Sequence, residues 1–365
     1  QFREQKELRF LITPSNYVVS SARVLGEKFF TNPRNQVLTP SAPDAKRIAV
    51  EGRKPIAFVL VVGETVRAQN WGLNGYSRNT TPELAKRGVI NFTDVTSCGT
   101  DTATSVPCMF SFQGRHNYDE SDIRSSESLV HVLERVGIRT LWRDNQSGCK
   151  GVCPKQHMED VSTQDDPKFC NGKRCFDEIL IQGLKEKINA SKGDMFIVLH
   201  MLGNHGPAYF ERYPAEFKRW QPTCDTTDLA RCSREALINT YDNAIAYSDH
   251  VLAKTIDLLA NIDTHDTGLI YVSDHGESLG EKGLYLHGMP YAIAPAEQTH
   301  VPMIHWYSDA LVKSRGIQLD CLTKKTTQPA SHDHLVHTLL SLYGVQTQAQ
   351  EKDWDLLHGC MSSPR

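Results

Sequence analysis

The sequence contains no apolar run long enough to cross a membrane as a helix. Its longest useful run, Ile56–Val62, has seven residues, whereas a spanning helix needs about 20. A signal peptide, an internal repeat and a low-complexity segment are also absent. These absences predict a soluble globular portion, and 365 residues, 39% of them hydrophobic, can bury a large core.

The chain also lacks a basic excess. Its 40 lysines and arginines are outnumbered by 43 aspartates and glutamates, which gives a net charge of −3. Because domains that bind nucleic acid usually carry clustered positive charge, no nucleic-acid partner is expected. We expect the chain to be a monomer.

The ten cysteines lack the two-residue spacing of structural zinc sites. Eight of them form close sequential pairs, which favours disulfides made in an oxidising compartment. On the chain-entropy model, closing the shortest loop stabilises by roughly 2 kcal/mol and a Cys321–Cys360 loop by roughly 4 kcal/mol. The predicted pairs are Cys98–Cys108, Cys149–Cys153, Cys170–Cys175 and Cys224–Cys232.

Residues 1–55 are predicted to precede a single domain of residues 56–365. In residues 17–30, apolar side chains recur at helical spacing, and residues 31–55 form a polar linker with four prolines. Such an amphipathic helix and tether could lie on a membrane. Packing of the helix on the surface of the domain is an equally good interpretation.

Apolar runs alternate with helical stretches in residues 56–342, which predicts an α/β fold. The expected architecture is a mostly parallel sheet sandwiched by helices. The predicted strands are Ile56–Val62, Ile138–Trp142, Met195–Leu199, Leu269–Val272 and Val301–Trp306. The predicted helices are Pro82–Lys86, Ser105–Phe112, Ser128–Val136, Phe176–Asn189, Arg234–Leu259 and His332–Leu342.

Four of the predicted strands end in reactive side chains. Glu64 follows the first, Asp144 the second, His200 the third, and Asp274 with His275 the fourth. In open α/β sheets, ligands bind at the edge where the carboxyl ends of the strands meet. The sequence therefore predicts that these groups converge on one site.

Three of these residues would together supply a set of zinc ligands. Glu64, Asp274 and His275 could leave one tetrahedral position for Thr102, whose hydroxyl needs activation to act as a nucleophile. His205 and His287 could bind a second metal or phosphate oxygens, although either could be an ordinary histidine.

The segment Cys98–Cys108 is rich in small hydroxyl residues ahead of the predicted helix Ser105–Phe112. Pro107 is tolerable only in the first turn of such a helix, and the free N–H groups there form a seat for phosphate. A capping loop closed by a disulfide is the alternative interpretation.

Four motifs resemble the phosphoethanolamine transferases of Gram-negative bacteria, the EptA-type lipid A modifiers that include the mobile colistin-resistance enzymes. They are Gly63–Arg67, Cys98–Phe110, Gly203–Phe210 and Ser273–Glu281. The resemblance covers residues 56–345 and implies an alkaline-phosphatase/sulfatase-like fold.

The resemblance also implies the site residues and the reaction. Glu64, Thr102, Asp274 and His275 match the zinc ligands, with Thr102 as the residue that takes up phosphoethanolamine from phosphatidylethanolamine. The family's further metal or head-group residues fall on a second set. That set is His205, His287, His200, Lys150 and Glu277.

The implied acceptor is a lipid A phosphate, and its modification would weaken binding of cationic polymyxins such as colistin. Family members carry membrane helices ahead of this domain, so the expected location is the periplasmic face of the inner membrane. One zinc ion is expected and a second is possible. Lys150 would pair with a phosphate oxygen, and Glu277 would bind the ammonium group or carry a proton.

Other functions stay open at this point. Related enzymes modify core sugars and other periplasmic glycans, and a phosphatase would pass the group to water. A sulfatase needs an arginine where Met109 stands, four residues after Ser105, to make its formylglycine. A non-catalytic, zinc-dependent head-group receptor would bind without turnover.

Overall fold

The computed structural model describes residues 37–48 and 52–362. The chain divides into two units, residues 1–39 and 40–365. The predicted amphipathic helix and residues 31–36 of the predicted linker lie outside the described residues. In the described part, no helix is both long and apolar enough to cross a membrane.

The described residues contain thirteen strands and nine α-helices. The strands are β1 (Lys46–Arg47), β2 (Ile56–Gly63), β3 (Ile90–Phe92), β4 (Val95–Thr96), β5 (Arg139–Asp144), β6 (Met158–Asp160), β7 (Met195–His200), β8 (Asp266–Ser273), β9 (Ser278–Leu279), β10 (Tyr285–Leu286), β11 (Met303–Tyr307), β12 (Ala330–Ser331) and β13 (Val345–Gln346). The helices are α1 (Thr102–Met109), α2 (Glu120–Ser125), α3 (Leu129–Arg135), α4 (Leu184–Ala190), α5 (Arg234–Ala260), α6 (Ala296–Thr299), α7 (Asp309–Arg315), α8 (Leu319–Thr323) and α9 (His334–Tyr343).

The largest sheet has seven strands in the order β3-β11-β8-β2-β7-β5-β6. Strands β8, β2, β7, β5 and β6 run parallel to one another, and β11 is antiparallel to both of its neighbours. All five predicted strands are present, and the prediction of a mostly parallel sheet is confirmed. Strand β1 lies within the predicted linker and pairs with β13.

Strand β2 shows why the sheet is buried on both faces. All eight of its residues are buried, and alternate side chains point to opposite faces. Phe58 and Leu60 belong to one apolar cluster, which includes residues of α1, α3 and α9. Val59 and Val61 belong to the other, which includes most of the large apolar side chains of α5. Helices on both faces explain the continuous apolar run, because neither side of the strand meets water.

Two predicted helices contain 3₁₀ turns where a continuous α-helix is expected. The segment Pro82–Lys86 holds only a 3₁₀ turn, whose first N–H groups, those of Glu83 and Leu84, donate to the buried Asp249 carboxylate of α5, both at 2.9 Å. The segment Phe176–Asn189 is a 3₁₀ turn and then α4, separated at Gly183 with a φ of 63°. The α5 prediction, Arg234–Leu259, differs from the structure by one residue.

All four predicted disulfides form, and Cys321 pairs with Cys360. Three of the pairs enclose short segments that carry polar or charged side chains. Cys98–Cys108 encloses Thr102, Cys149–Cys153 encloses Lys150, and Cys170–Cys175 encloses Lys173 and Arg174. Each loop is short, so the covalent link fixes local loop geometry rather than the order of strands in the sheet.

Candidate active site

The carboxyl ends of four neighbouring strands meet at one edge of the sheet. In the register, Gly63 of β2 lies beside Ser273 of β8, and Val62 lies beside His200 of β7. His200 in turn lies beside Asp144 of β5. The residues that follow β2 and β8 therefore emerge next to each other.

Thr65 shapes the exit from β2. It has a φ of 60°, an unusual value for a β-branched residue. Its N–H donates to Asp274 Oδ1 at 3.1 Å, and its hydroxyl donates to Glu64 Oε1 at 2.6 Å. The Tyr241 hydroxyl donates to its carbonyl at 2.6 Å. These bonds hold the left-handed turn and tie the Glu64 backbone to Asp274.

Thr102 begins helix α1. The Asp101 side chain caps the helix by accepting the Thr104 N–H at 2.9 Å. Thr102 Oγ1 donates to Glu64 Oε2 at 3.0 Å and lies 3.4 Å from His275 Nε2. The structure thus places the hydroxyl at the helix N-terminus and against two of the predicted metal ligands.

The predicted start of this helix at Ser105 was wrong by three residues. Pro107 lies inside α1 rather than in its first turn, and it has no N–H to give to the Ala103 carbonyl. That carbonyl accepts a hydrogen bond from Arg124 Nη2 at 2.9 Å instead. The guanidinium thus satisfies the acceptor that the proline leaves free.

Glu64, Asp274 and His275 form a group whose potential ligand atoms all lie within 4.8 Å of one another. His275 Nε2 is 3.4 Å from Glu64 Oε1 and 3.5 Å from Asp274 Oδ2, and all three side chains are fully buried. His275 Nδ1 lies 2.9 Å from the Gly276 carbonyl. Donation to this carbonyl leaves Nε2 to face the carboxylates, as in metal-binding histidines.

The electrostatics of this group favour a cation. Burial and the Glu64 charge raise the pKa of Asp274 to about 6. Burial alone would lower the pKa of His275, but Asp274 and Glu64 raise it to about 10. Despite burial, the hydrogen bond from His275 holds the pKa of Glu64 below its ordinary value. Asp274 Oδ2 is buried and has no hydrogen-bond partner, so these nitrogen and oxygen donors fit a zinc ion.

His332 joins the segment before α1 to the end of β8, a role that sequence reasoning missed. Its Nδ1 accepts the Cys98 N–H at 3.0 Å, and its Nε2 donates to the Ser273 carbonyl at 2.9 Å. The Ser105 hydroxyl donates to the Asp274 carbonyl at 2.5 Å. No motif marks His332, because it joins segments that are distant in sequence.

Glu277 and His287 form a second group. The Glu277 carboxylate accepts a hydrogen bond from the Tyr209 hydroxyl, and its other oxygen lies 2.7 Å from His287 Nδ1. The His287 ring lies 4.3 Å from the His275 ring and 6.1 Å from the His205 ring, centroid to centroid. The structure therefore brings His205 and His287 beside the Glu64 group, while Glu277 orients His287.

His200 and Lys150 take different positions. His200 is buried, with Nδ1 2.7 Å from Asp144 Oδ1 and Nε2 without a partner. The Lys150 ammonium donates to the Ser147 carbonyl at 3.1 Å and to the Ser147 hydroxyl. These contacts place Lys150 in the loop beside the site, and its role with phosphate stays a prediction.

Gln146 is a further residue that the sequence did not reveal. Its Nε2 donates to Glu64 Oε2 at 3.0 Å, the same oxygen that accepts the Thr102 hydroxyl. It lies two residues after the end of β5. The polar residues that follow this strand could have indicated that Gln146 lies near the site.

Comparison with known proteins confirms the predicted fold. The Sulfatase family profile matches residues 57–345. The chain is 44% identical to phosphoethanolamine transferase EptA of Escherichia coli (strain K12), over 98% of the chain and 66% of that protein. It is 42% identical to phosphatidylethanolamine transferase Mcr-1 of Escherichia coli, over 94% of the chain and 64% of that protein.

A solved structure gives the same answer. The integral membrane protein lipooligosaccharide phosphoethanolamine transferase A (EptA) from Neisseria meningitidis matches with a TM-score of 0.92 and 42% identity. This match covers 99% of the chain and 68% of that protein. The chain thus spans about two thirds of the length of these relatives.

Proposed function

Because the chain belongs to the sulfatase family and resembles its phosphoethanolamine transferases, we propose that it transfers phosphoethanolamine through a phospho-threonine at Thr102. The donor is phosphatidylethanolamine, and the acceptor is a lipid A phosphate. The observation that carries this proposal is the position of the Thr102 hydroxyl, 3.0 Å from Glu64 Oε2 at the start of α1.

In the first step, Thr102 Oγ1 bonds to the phosphorus of the donor, and the bond from phosphorus to the diacylglycerol oxygen breaks. The hydroxyl, held toward Glu64 Oε2 by its hydrogen bond, loses its proton to solvent, and the departing oxygen takes up a proton from solvent. His287, oriented by Glu277, would contact the phosphate oxygens. The N–H groups of Thr102 and Ala103, at the start of α1, have no acceptor within the helix and would face the phosphate.

Glu64, Asp274 and His275, with Thr102, would hold one zinc ion, and His205 with His287 a second ion or the phosphate oxygens. Bound zinc supplies positive charge that lowers the pKa of the hydroxyl and offsets charge on the phosphoryl oxygens. In the second step, the acceptor phosphate bonds to the same phosphorus, and Thr102 regains its proton.

Ser105 does not compete with Thr102 as the nucleophile. Its hydroxyl is fully buried and donates to the Asp274 carbonyl. Together with Met109 in place of the arginine that sulfatases need, this contact argues against a formylglycine at Ser105. Transfer to a lipid is therefore favoured over sulfate ester hydrolysis.

The family resemblance extends the proposal to the whole protein. We infer that it acts at the periplasmic face of the inner membrane, where the five disulfides can form. The names of the relatives support the lipid substrates, since they specify phosphatidylethanolamine, lipooligosaccharide and an integral membrane protein. An added ammonium group on lipid A would weaken polymyxin binding and give colistin resistance.

Intact-mass measurement after incubation with phosphatidylethanolamine tests the nucleophile. We expect a phosphoethanolamine adduct on the wild type and none on Thr102→Ala, because no other hydroxyl occupies that position. Thr104→Ala is the matched control, since Thr104 lies on the same helix and bonds Asp101 rather than Glu64. An unchanged adduct on Thr102→Ala would refute the assignment.

A further inference from the structure

A pocket of about 290 Å³ is lined by Gln146, whose side chain bonds Glu64 of the proposed active site. Its lining is almost wholly made of hydrogen-bond donors and cations, with one apolar side chain, and it includes no carboxylate among the described residues. The lining residues are Asn145, Gln146, Ser147, Ser162, Thr163, Lys173, Arg174, Leu202 and His205. A pocket of this composition favours an anion.

Two cations stand on a rigid turn at this pocket. The Cys170–Cys175 disulfide closes the turn, and Asn171 Oδ1 accepts the N–H groups of Lys173 and Arg174 at 3.1 and 3.0 Å. Both side chains are exposed. Within residues 37–48 and 52–362, neither charged group has a hydrogen-bond or ion-pair partner.

A third cation lies behind the pocket wall. Arg212 is 3% exposed, and its Nε donates to the carbonyl of His205, a lining residue, at 2.7 Å. Its Nη1 is buried without a partner. Burial and then the like charge of Arg174 lower the pKa of Arg212 to about 10. Positive charge is therefore concentrated on this side of the site.

The pocket adjoins the reacting atoms through two side chains. Gln146 lines it and bonds Glu64 Oε2, the oxygen that also accepts the Thr102 hydroxyl. His205 also lines it, and its ring lies 6.1 Å from the His287 ring. The pocket is thus connected to the Thr102 hydroxyl through Gln146 and Glu64.

We propose that this pocket binds the phosphate monoester of the acceptor and presents it to the phospho-threonine. The inference rests on the proposed function. An oxygen of the bound phosphate forms a bond to phosphorus, the Thr102 Oγ1–phosphorus bond breaks, and the acceptor's P–O–H proton passes to Thr102 Oγ1. Lys173 and Arg174 hold the negative charge of the acceptor during this exchange.

The double variant Lys173→Ala/Arg174→Ala removes both exposed cations. The matched control is Arg139→Ala/Lys192→Ala, which removes the same charges near the amino ends of β5 and β7. Both control residues are exposed. The comparison separates loss of the pocket from loss of net charge.

The first measurement follows transfer with phosphatidylethanolamine as donor and lipid A in detergent micelles as acceptor. We expect the double variant to form the Thr102 adduct at the wild-type rate and to show a KM for lipid A raised about tenfold or more. The control should match the wild type in both. Slower adduct formation would assign the pocket to the donor, and an unchanged KM would remove its role; either result overturns the proposal.

The second measurement does not depend on transfer. Inorganic phosphate is titrated calorimetrically into the zinc-loaded full chain, and we expect one binding event to weaken about tenfold in the double variant alone. Equal phosphate binding in all three proteins overturns the anion site even if transfer occurs. If the wild type forms no phosphoethanolamine adduct, the proposed function is overturned instead. Weaker phosphate binding by the double variant would then still support the anion site.

Discussion

His332 should make the stability of this protein depend on pH below neutrality. Burial lowers its pKa from 6.5 to about 4, because a charge there would be desolvated between Cys98 and Ser273. Between these values the unfolded chain binds a proton that the folded chain does not. The contribution of His332 is therefore fully present above pH 6.5 and is lost as the pH falls toward 4. From pH 7 to pH 5 the loss is about 2 kcal/mol.

Urea unfolding at the two pH values measures this loss. The variant His332→Gln keeps a donor for the Ser273 carbonyl but does not titrate, so its stability should fall by about 2 kcal/mol less than that of the wild type. His358→Gln, at an exposed position, is the control and should leave the pH dependence unchanged. Imidazole ¹⁵N spectra at pH 5 should show the neutral ring of His332, with its single proton on Nε2. A positively charged His332 ring at pH 5 would refute the reasoning, and so would equal pH dependence of stability in the wild type and His332→Gln.

Two further predictions concern the Glu64 turn and the metal ion proposed to bind there. Gly203→Ala should destabilise by about 1–3 kcal/mol and weaken zinc binding, because a Cβ there, at a φ of 49°, would lie 2.7 Å from the Glu64 carbonyl. Gly283→Ala is the control, because Gly283 also has a positive φ, 77°, but a Cβ there would have no atom within 4 Å. Equal losses of unfolding free energy in the two variants, measured in urea, would show that the clash with Glu64 is not the cause. Chelation should lower the melting temperature of the wild type, since an ion at a hundred times its Kd stabilises by about 2.7 kcal/mol. Asp274→Asn should lose this response to the chelator, whereas Asp263→Asn, at an exposed position, should keep it. An unchanged melting temperature of the wild type and of Asp263→Asn on chelation would argue against a metal at this site.

The sheet could be predicted because burial on both faces leaves an unmistakable pattern. Runs such as Ile56–Val62 have no polar residue to face water, and parallel pairing then places their carboxyl ends together. This reasoning put Glu64, Asp274 and His275 at one edge, where the structure has them. Strand β11 was found as a strand, but its antiparallel direction depends on tertiary pairing.

Helix boundaries and the surrounding contacts were harder to predict. Pro107 moved the predicted start of α1 to Ser105, because a proline inside a helix normally leaves a carbonyl without a partner. The guanidinium of Arg124, distant in sequence, supplies that partner. Gln146 and Arg212 likewise acquire their positions from loop geometry, which no periodic pattern encodes.

The five disulfides have a consequence for the order in which this protein would come apart. The separations they span are 4, 5, 8, 10 and 39 residues, and none links two strands of the seven-stranded sheet. Reduction of the disulfides would therefore loosen the loops that carry Thr102, Lys150 and Lys173 while the seven-stranded sheet stays folded. The proposed transfer activity would then be lost in a protein that still gave the spectroscopic signature of a native fold.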